Sequence, residues 1–510
     1  MHLNIEFNIQ LIFKTYFIMR KKVQLTLLVP ILSFASLLNA QENPNSPTDT
    51  IYPLVEKLQS DAGLWSRLKI SGYVQSQWQK ADTIGSPAKY SGGNFSGLDN
   101  RFQVRRGRLK VNYVNDLSEY VLQIDVTEKA VAIKDAYASF TDRWLKTFTL
   151  TGGAFNRPFG YEVSYSSASL ESPERARIEQ ALFPNEEDLG AQLAIQAPST
   201  SPFNFIKLQG GLFTGNGLNP ETDKYKDLIG QVILKKTLMN ENLLLSGGAS
   251  YYNGGFAAMS PDGKINAVSS GKPVYAYYYH WKNAAMSKDS LVAGGKLKRE
   301  YVGFDLQATL HSGIGITTLR GEYITGTQPG TASNNFSPTN DQPVVGAVTN
   351  IPDLVKNIKG DTIQVPTTTT TKTGVIPSSS NYYSRSFNGG YITFIQNILQ
   401  TKHEIVVKYD WYDPNTNVSG NQIGAGSTYV KNKLTNPSNT GLADIKYSTI
   451  GIGWIYHWNS NVKITLYYEM VTNETTNAAG LNASLGTTGV TALNKDQKDN
   501  VLTLRVQYKF

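Results

Sequence analysis

The sequence predicts an all-β chain that closes as a transmembrane antiparallel β-barrel of about sixteen strands, with short periplasmic turns and long extracellular loops. Three observations predict it: a secretion address at the front, period-two alternation recurring from about residue 68 onward, and a final aromatic residue on an alternating strand. The composition agrees. Aromatics make up 11% of the 510 residues, with 29 Tyr, while charged residues are 17% against an average of about 25%. A single large β architecture absorbs this length better than three ordinary domains do.

The address comes first. Met19, Arg20, Lys21 and Lys22 open a basic start, Val23 to Leu38 form a short apolar core, and Asn39-Ala40 precede the polar Gln41-Glu42-Asn43-Pro44. These are the parts of a signal peptide over 19–40, with cleavage expected after Ala40 and 1–18 read as an upstream extension. Residues 41–66 form a periplasmic segment, in which 51–58 suits a short helix, and the barrel occupies 67–510. Beyond residue 40 no run approaches 18 apolar residues, so any membrane crossing must use strands.

A strand in lipid shows apolar residues outward and admits polar ones inward. Leu502, Leu504, Val506, Tyr508 and Phe510 share one face, against Thr503, Arg505, Gln507 and Lys509. Leu109, Val111 and Tyr113 oppose Arg106, Arg108, Lys110 and Asn112, and Leu122, Ile124 and Val126 alternate with Gln123 and Asp125. Val302, Phe304, Leu306 and Leu310 alternate with Tyr301, Asp305, Gln307 and Thr309, as Val462, Ile464, Leu466 and Tyr468 do with Lys463, Thr465, Tyr467 and Glu469. Strands are thus predicted at 68–79, 101–115, 119–128, 132–141, 147–155, 188–197, 203–213, 227–237, 242–252, 297–310, 314–325, 385–399, 402–413, 444–457, 461–472 and 498–510. The even number suits a closed barrel. The aromatic run Val274 to Trp281 is placed in the outer connection 253–296, because counting it alone would spoil the even number, and the total is sixteen or eighteen strands. The terminal Phe510 resembles the signal that outer-membrane proteins present to the barrel-insertion machinery, which locates the chain in the outer membrane of a Gram-negative bacterium.

Enzyme chemistry finds no foothold. There is no Cys, the five His (2, 280, 311, 403 and 457) show no short metal-ligand spacing, and neither a nucleophile elbow nor a phosphate loop occurs. No catalytic residue, metal site or cofactor is predicted, and no basic run supports a nucleic-acid partner. Net charge is +8, but residues 1–40 hold four bases (Lys14, Arg20, Lys21, Lys22) and one acid (Glu6), so the processed chain has 44 bases and 39 acids, or +5. Bulk charge therefore says little about solutes.

Four stretches resemble the phosphate-selective porin O and P family: Arg101-Phe102-Gln103-Val104-Arg105-Arg106-Gly107-Arg108-Leu109, Ile133-Lys134-Asp135-Ala136-Tyr137, Gly153 to Glu162, and Asp188 to Leu193. The resemblance covers the N-terminal half. It implies a sixteen-stranded outer-membrane barrel, usually a homotrimer, that passes small anions such as phosphate by diffusion through bases lining the lumen and a loop folded into it. Independently, the topology makes 156–187 the third outer loop, and Ser172 to Phe183 reads as a helix with Pro173 at an early position. Arg106, Arg108 and Lys110, spaced about 6.6 Å apart on one inward face, with Lys134, Arg157, Arg175 and Arg177, are the expected pore-lining, anion-binding residues. Two arrangements remain open for the loop: an anion filter with Arg175 and Arg177 projecting into the pore, or acids on the loop facing bases on the wall. A general or sugar-leaning porin and a structural or adhesive surface barrel are the competing functions.

Overall fold

The period-two faces assemble, in the computed structural model, into a closed wall of sixteen antiparallel strands. The structure describes Gly63 and residues 65–510, apart from position 222 and from most of 259–274, 283–284, 332–381, 424–439 and 477–492, where only short strand pairs are placed. The signal-peptide and upstream expectations for 1–40 lie outside the described residues, as do the periplasmic segment up to residue 62 and its helix at 51–58.

The wall runs β1 (Leu68–Ala81), β2 (Asn100–Asn115), β3 (Ser118–Val126), β4 (Val131–Thr141), β5 (Phe148–Asn156), β6 (Glu187–Gln196), β7 (Ile206–Phe213), β8 (Asp227–Leu238), β9 (Leu243–Ala257), β10 (Lys296–Ser312), β11 (Gly315–Gly330), β12 (Tyr382–Asn397), β13 (His403–Asp413), β14 (Tyr447–His457), β15 (Val462–Asn473) and β16 (Val501–Lys509). Each strand pairs antiparallel with its sequence neighbours, and β16 returns to β1 in the register Tyr73↔Lys509. Closure satisfies the edge hydrogen bonds that lipid cannot. The last bond pair of this seam joins Gly72 N–H to the Phe510 carbonyl at 3.1 Å and Phe510 N–H to the Gly72 carbonyl at 3.0 Å.

All sixteen predicted strands are present. Two of them, β9 and β11, extend five residues farther at the long-loop end than the alternation indicates, because β9 keeps pairing with β10 there and β11 with β10 and then β12. The aromatic run after residue 274 is a strand, Tyr275–Lys282, in a hairpin with Ala285–Val292. It stands in the outer connection, pairs with the wall through a short parallel ladder, Tyr278↔Tyr382, and packs Ala276 against Phe256 and Leu297. The barrel is therefore sixteen-stranded.

Alternation decides what faces lipid. On β10 the outward Phe304 and Leu306 are 55% and 66% exposed, whereas the inward Tyr301 and Gln307 are 0% and 6%. On β16 Leu504, Val506 and Tyr508 face out, and Thr503, Arg505 and Gln507 are buried within. Outward aromatics gather near both ends, with Tyr409 and Trp411 stacked toward the long-loop end and Trp454, Tyr456 and His403 toward the short turns. Such belts belong at the two lipid–water boundaries. No described helix is long and apolar enough to cross a membrane.

Inside, the wall is not uniformly polar. Phe213, Tyr252, Tyr301, Phe387, Tyr391 and Tyr412, from β7, β9, β10, β12 and β13, are buried on the lumen side and form one cluster with the connection between β5 and β6. That cluster positions the site.

Candidate pore constriction

Residues 157–186 leave β5 and fold into the lumen because the segment has two unlike faces. Its apolar face, Phe159, Val163, Ile178, Leu182 and Phe183, packs on the inward aromatics. Phe159 meets Phe183, Tyr252 and Tyr301 at ring-centre distances of 5.2, 6.4 and 6.4 Å. Burying such rings is the dominant gain, worth roughly 1.5–3 kcal/mol per side chain. The entry point requires a glycine. Gly160 has φ +62° and lies so close to Glu322 that a Cβ would overlap its carboxylate. There the backbone is pinned on both sides. The N–H groups of Tyr161 and Glu162 donate to the two Glu322 oxygens at 3.1 Å each, and the Gly160 N–H donates to Ser250 Oγ at 2.9 Å. Glu162 then accepts Lys408 Nζ at 2.9 Å and the Ala176 N–H at 2.7 Å.

The helix in this segment, α1, spans only Arg177–Leu182. The predicted start at Ser172 is corrected, because the polar groups of 172–176 are engaged elsewhere: Ser172 Oγ donates to the Glu174 carbonyl, Arg505 takes the Pro173 carbonyl and the Ala176 N–H goes to Glu162. A backbone N–H given to a carboxylate cannot also close its i to i−4 bond.

The opposite face is charged and meets β1–β4 and β16. Glu174 accepts Arg105 Nε and Nη2 at 2.7 and 2.8 Å, Arg106 Nη2 at 2.9 Å and Arg505 Nη2 at 3.1 Å. Glu186 lies 3.2 Å from Lys134 Nζ, 3.2 Å from Arg175 Nη1 and 3.9 Å from Arg108 Nη2. Lys134 also reaches Glu187 at 3.0 Å, Arg108 reaches Asp125 at 3.4 Å, and Lys110 reaches Asp135 at 3.6 Å. Burial alone would raise the Glu174 and Glu186 carboxyls, but the surrounding guanidiniums and ammonium outweigh it and hold both well below the usual carboxylate range. Glu179, on α1, goes the other way. Burial, then the neighbouring Glu322 and Glu162 carboxylates, push it well above. Both Glu179 oxygens are buried without a hydrogen-bond donor.

Two β-bulges make the charged face denser than alternation allows. The β1–β2 register passes from Gln75↔Arg106 to Ser76↔Val104, so Arg105 is an extra residue and both it and Arg106 reach Glu174. The β3–β4 register passes from Gln123↔Asp135 to Ile124↔Ile133, which makes Lys134 extra and turns it inward beside Asp135. A bulge re-aims a side chain by inserting one unpaired residue.

The seven expected residues fall into two groups. Arg106, Arg108, Lys110 and Lys134 stand together on the wall, each within reach of a carboxylate. Arg157, Arg175 and Arg177 are buried against protein groups, Arg157 beside the larger inner cavity and Arg175 beside the outer one. Arg157 is fully buried, 3.0 Å from Asp188 and 2.7 Å from the Asn185 carbonyl. Arg175 ties the loop to itself, donating to the carbonyls of Glu162 and Tyr165 at 2.9 and 2.7 Å. Arg177 lies between the rings of Tyr90 and Tyr447, 4.7 and 4.3 Å from their centres. Of the two arrangements left open, the structure has acids on the loop against bases on the wall. Arg105 and Arg505 are members outside the seven expected residues. Arg105 is hidden by the bulge, whereas the inward position of Arg505 was readable.

Cavities flank this cluster. On the long-loop side a space of about 190 Å³ is lined by Lys89, Tyr90, Arg105, Arg106, Glu174 and Arg175, among others. On the short-turn side, spaces of about 310 and 690 Å³ share Lys110, Asp135, Asn156 and Ser164 as lining. Between them, Arg105, Arg106, Arg108, Lys110, Lys134, Arg175 and Arg505 oppose Asp125, Asp135, Glu174, Glu186 and Glu187, seven bases against five acids, a surplus of two positive charges.

No family model and no curated protein matches the chain, so the phosphate-selective resemblance rests on its four stretches alone. Solved structures do match. OprB of Pseudomonas putida is 10% identical with a TM-score of 0.47, covering 89% of this chain and 97% of its own. The outer-membrane channel DcaP of Acinetobacter baumannii is 13% identical at 0.43, covering 87% and 97%. OmpT of Vibrio cholerae, an outer-membrane protein in its trimer form, is 9% identical at 0.43, covering 87% and 99%. At these values the likeness adds nothing to what the barrel's own geometry shows.

Proposed function

We propose that this chain is an outer-membrane porin for passive diffusion of small solutes, leaning towards anions such as phosphate. The guanidiniums and ammonium that β2, β4 and β16 turn towards Glu174 and Glu186 of the loop carry the reading. A solute passing from the outer to the inner cavities meets partly desolvated guanidiniums, which replace some of an anion's hydration and repel cations. The chloride-to-potassium preference is read from the reversal potential of single channels in a salt gradient. Replacing Arg106 and Arg108 by Ala removes two of the seven bases in that network. A unit charge at about 4 Å is worth about 1 kcal/mol even at the dielectric of water, or roughly a fivefold preference per charge at 1.4 kcal/mol per factor of ten. The double variant should lose most of its anion preference, and an unchanged reversal potential would remove these residues from the route.

One observation favours a broader diet. The larger inner cavity is lined by hydroxyls and amides, including Ser139, Thr141, Thr149, Thr151, Gln192 and Gln209. These suit uncharged polyols, and sugar uptake into liposomes at rates matching those of phosphate would favour a general porin. Assembly as a homotrimer and delivery through Phe510 complete the proposal, both taken from the sequence resemblances.

A further inference from the structure

One carboxylate shared by three guanidiniums is an unusual use of a loop residue. Every hydrogen bond given to the two Glu174 oxygens among the described residues comes from Arg105, Arg106 or Arg505. The three bases come from separate places, a bulge and its neighbour on β2 and the middle of β16. Arg505 also holds Gln77 Oε1 and the Pro173 carbonyl, and Arg106 holds Gln75 Oε1, so two of the forks are fixed by the wall and the loop backbone. Glu174 itself is buried. Charge here is not balanced, since three positive groups face one negative group. The outer cavity of about 190 Å³ touches Arg105, Arg106 and Glu174, which gives the cluster access from the long-loop end.

We propose that Arg105, Arg106 and Arg505 form an oxyanion site that Glu174 occupies as a tethered anion, so that Glu174 sets how strongly the passage prefers anions. Guanidinium forks suit planar and tetrahedral oxyanions, to which they present several donors at once. A doubly charged oxyanion such as inorganic phosphate matches three fixed bases better than one carboxylate does. The tethered group nonetheless wins at low solute concentration, because a ligand carried on the same chain acts at an effective concentration of about millimolar or more. The passage thus holds permeant anions weakly and releases them. The consequence for selectivity rests on the anion-leaning reading above, whereas the existence of the site does not.

The test is the block of single-channel chloride current by inorganic phosphate added at the long-loop side, for the full-length barrel and for Glu174→Gln and Glu174→Ala. Both variants should show a half-blocking phosphate concentration lower by about tenfold or more once the tethered competitor is gone, and a reversal potential shifted towards chloride. Adding Arg505→Ala to Glu174→Gln should reverse most of the gain. Unchanged half-blocking concentrations in both Glu174 variants overturn the proposal. A wild-type channel that prefers cations, yet gains phosphate block on loss of Glu174, defeats the anion-leaning function and leaves this site standing.

Discussion

Phe159→Ala tests whether the loop is held in the lumen by packing. The ring is fully buried, contacts Phe183 of the same loop and Tyr252 and Tyr301 of the wall, and lies where a side chain on Gly303 would collide with it. Truncating a buried Phe to Ala costs about 3–5 kcal/mol through lost transfer energy and the void left behind. The wall is hydrogen-bonded strand to strand without this side chain, so the loss falls on loop docking and not on the barrel. At 1.4 kcal/mol per factor of ten, the undocked fraction should rise by about two to three and a half orders of magnitude. Single-channel recordings should then show a wider conductance level with long dwell times, while folded barrel survives in unheated electrophoresis. A folded variant whose traces match the wild type would refute the packing argument.

Two further outcomes follow from other parts of the molecule. At the seam, a Cβ on Gly72 would overlap the Arg108 carbonyl and lie 2.6 Å from the Phe510 ring, so Gly72→Ala should lower the barrel's heat-unfolding temperature by an overpacking cost of about 1–3 kcal/mol. Gly152→Ala, with nothing within 4 Å, should leave it unchanged; equal effects of the two would contradict the steric account. Loop docking should also weaken at both extremes of pH. Glu174 and Glu186 are held below the ordinary carboxylate value of about 4.3, so their contribution is complete above it and lost as pH falls through their lowered values. Glu179 is raised, so its contribution is complete at low pH and lost as pH rises through its raised value. Conductance fluctuations should increase on strong acidification and again on alkalinisation, and Glu179→Gln should abolish the alkaline limb alone. An alkaline limb that survives this change would exclude Glu179 as its source.

The wall was legible because lipid imposes one rule on every strand. Leu504, Val506 and Tyr508 could be assigned a face from their spacing, and the same count placed 275–282 outside the barrel. Register irregularities were not legible. One inserted residue leaves the composition of Val104-Arg105-Arg106 or Ile133-Lys134-Asp135 unchanged, so alternation alone turns neither Arg105 nor Lys134 inward, and of the two only Lys134 was among the expected pore-lining residues. The loop showed its charges but not their direction. Whether Arg175 and Arg177 meet solvent or protein depends on aromatic residues from strands more than two hundred positions away, such as Phe387 and Tyr412, which hold the apolar face of α1 and its flanks. Helix start signals at Ser172 and Pro173 were likewise overridden by long-range bonds to Arg505 and Glu162.

The central claim is a passage biased towards anions by the bases that β2, β4 and β16 turn towards the loop. Its most direct test is the reversal potential of the wild-type barrel, reconstituted in a planar bilayer across a potassium chloride gradient. The account predicts measurable conductance with a reversal potential on the chloride side of zero. A reversal potential on the potassium side, or the absence of any conductance from folded barrel, would contradict it.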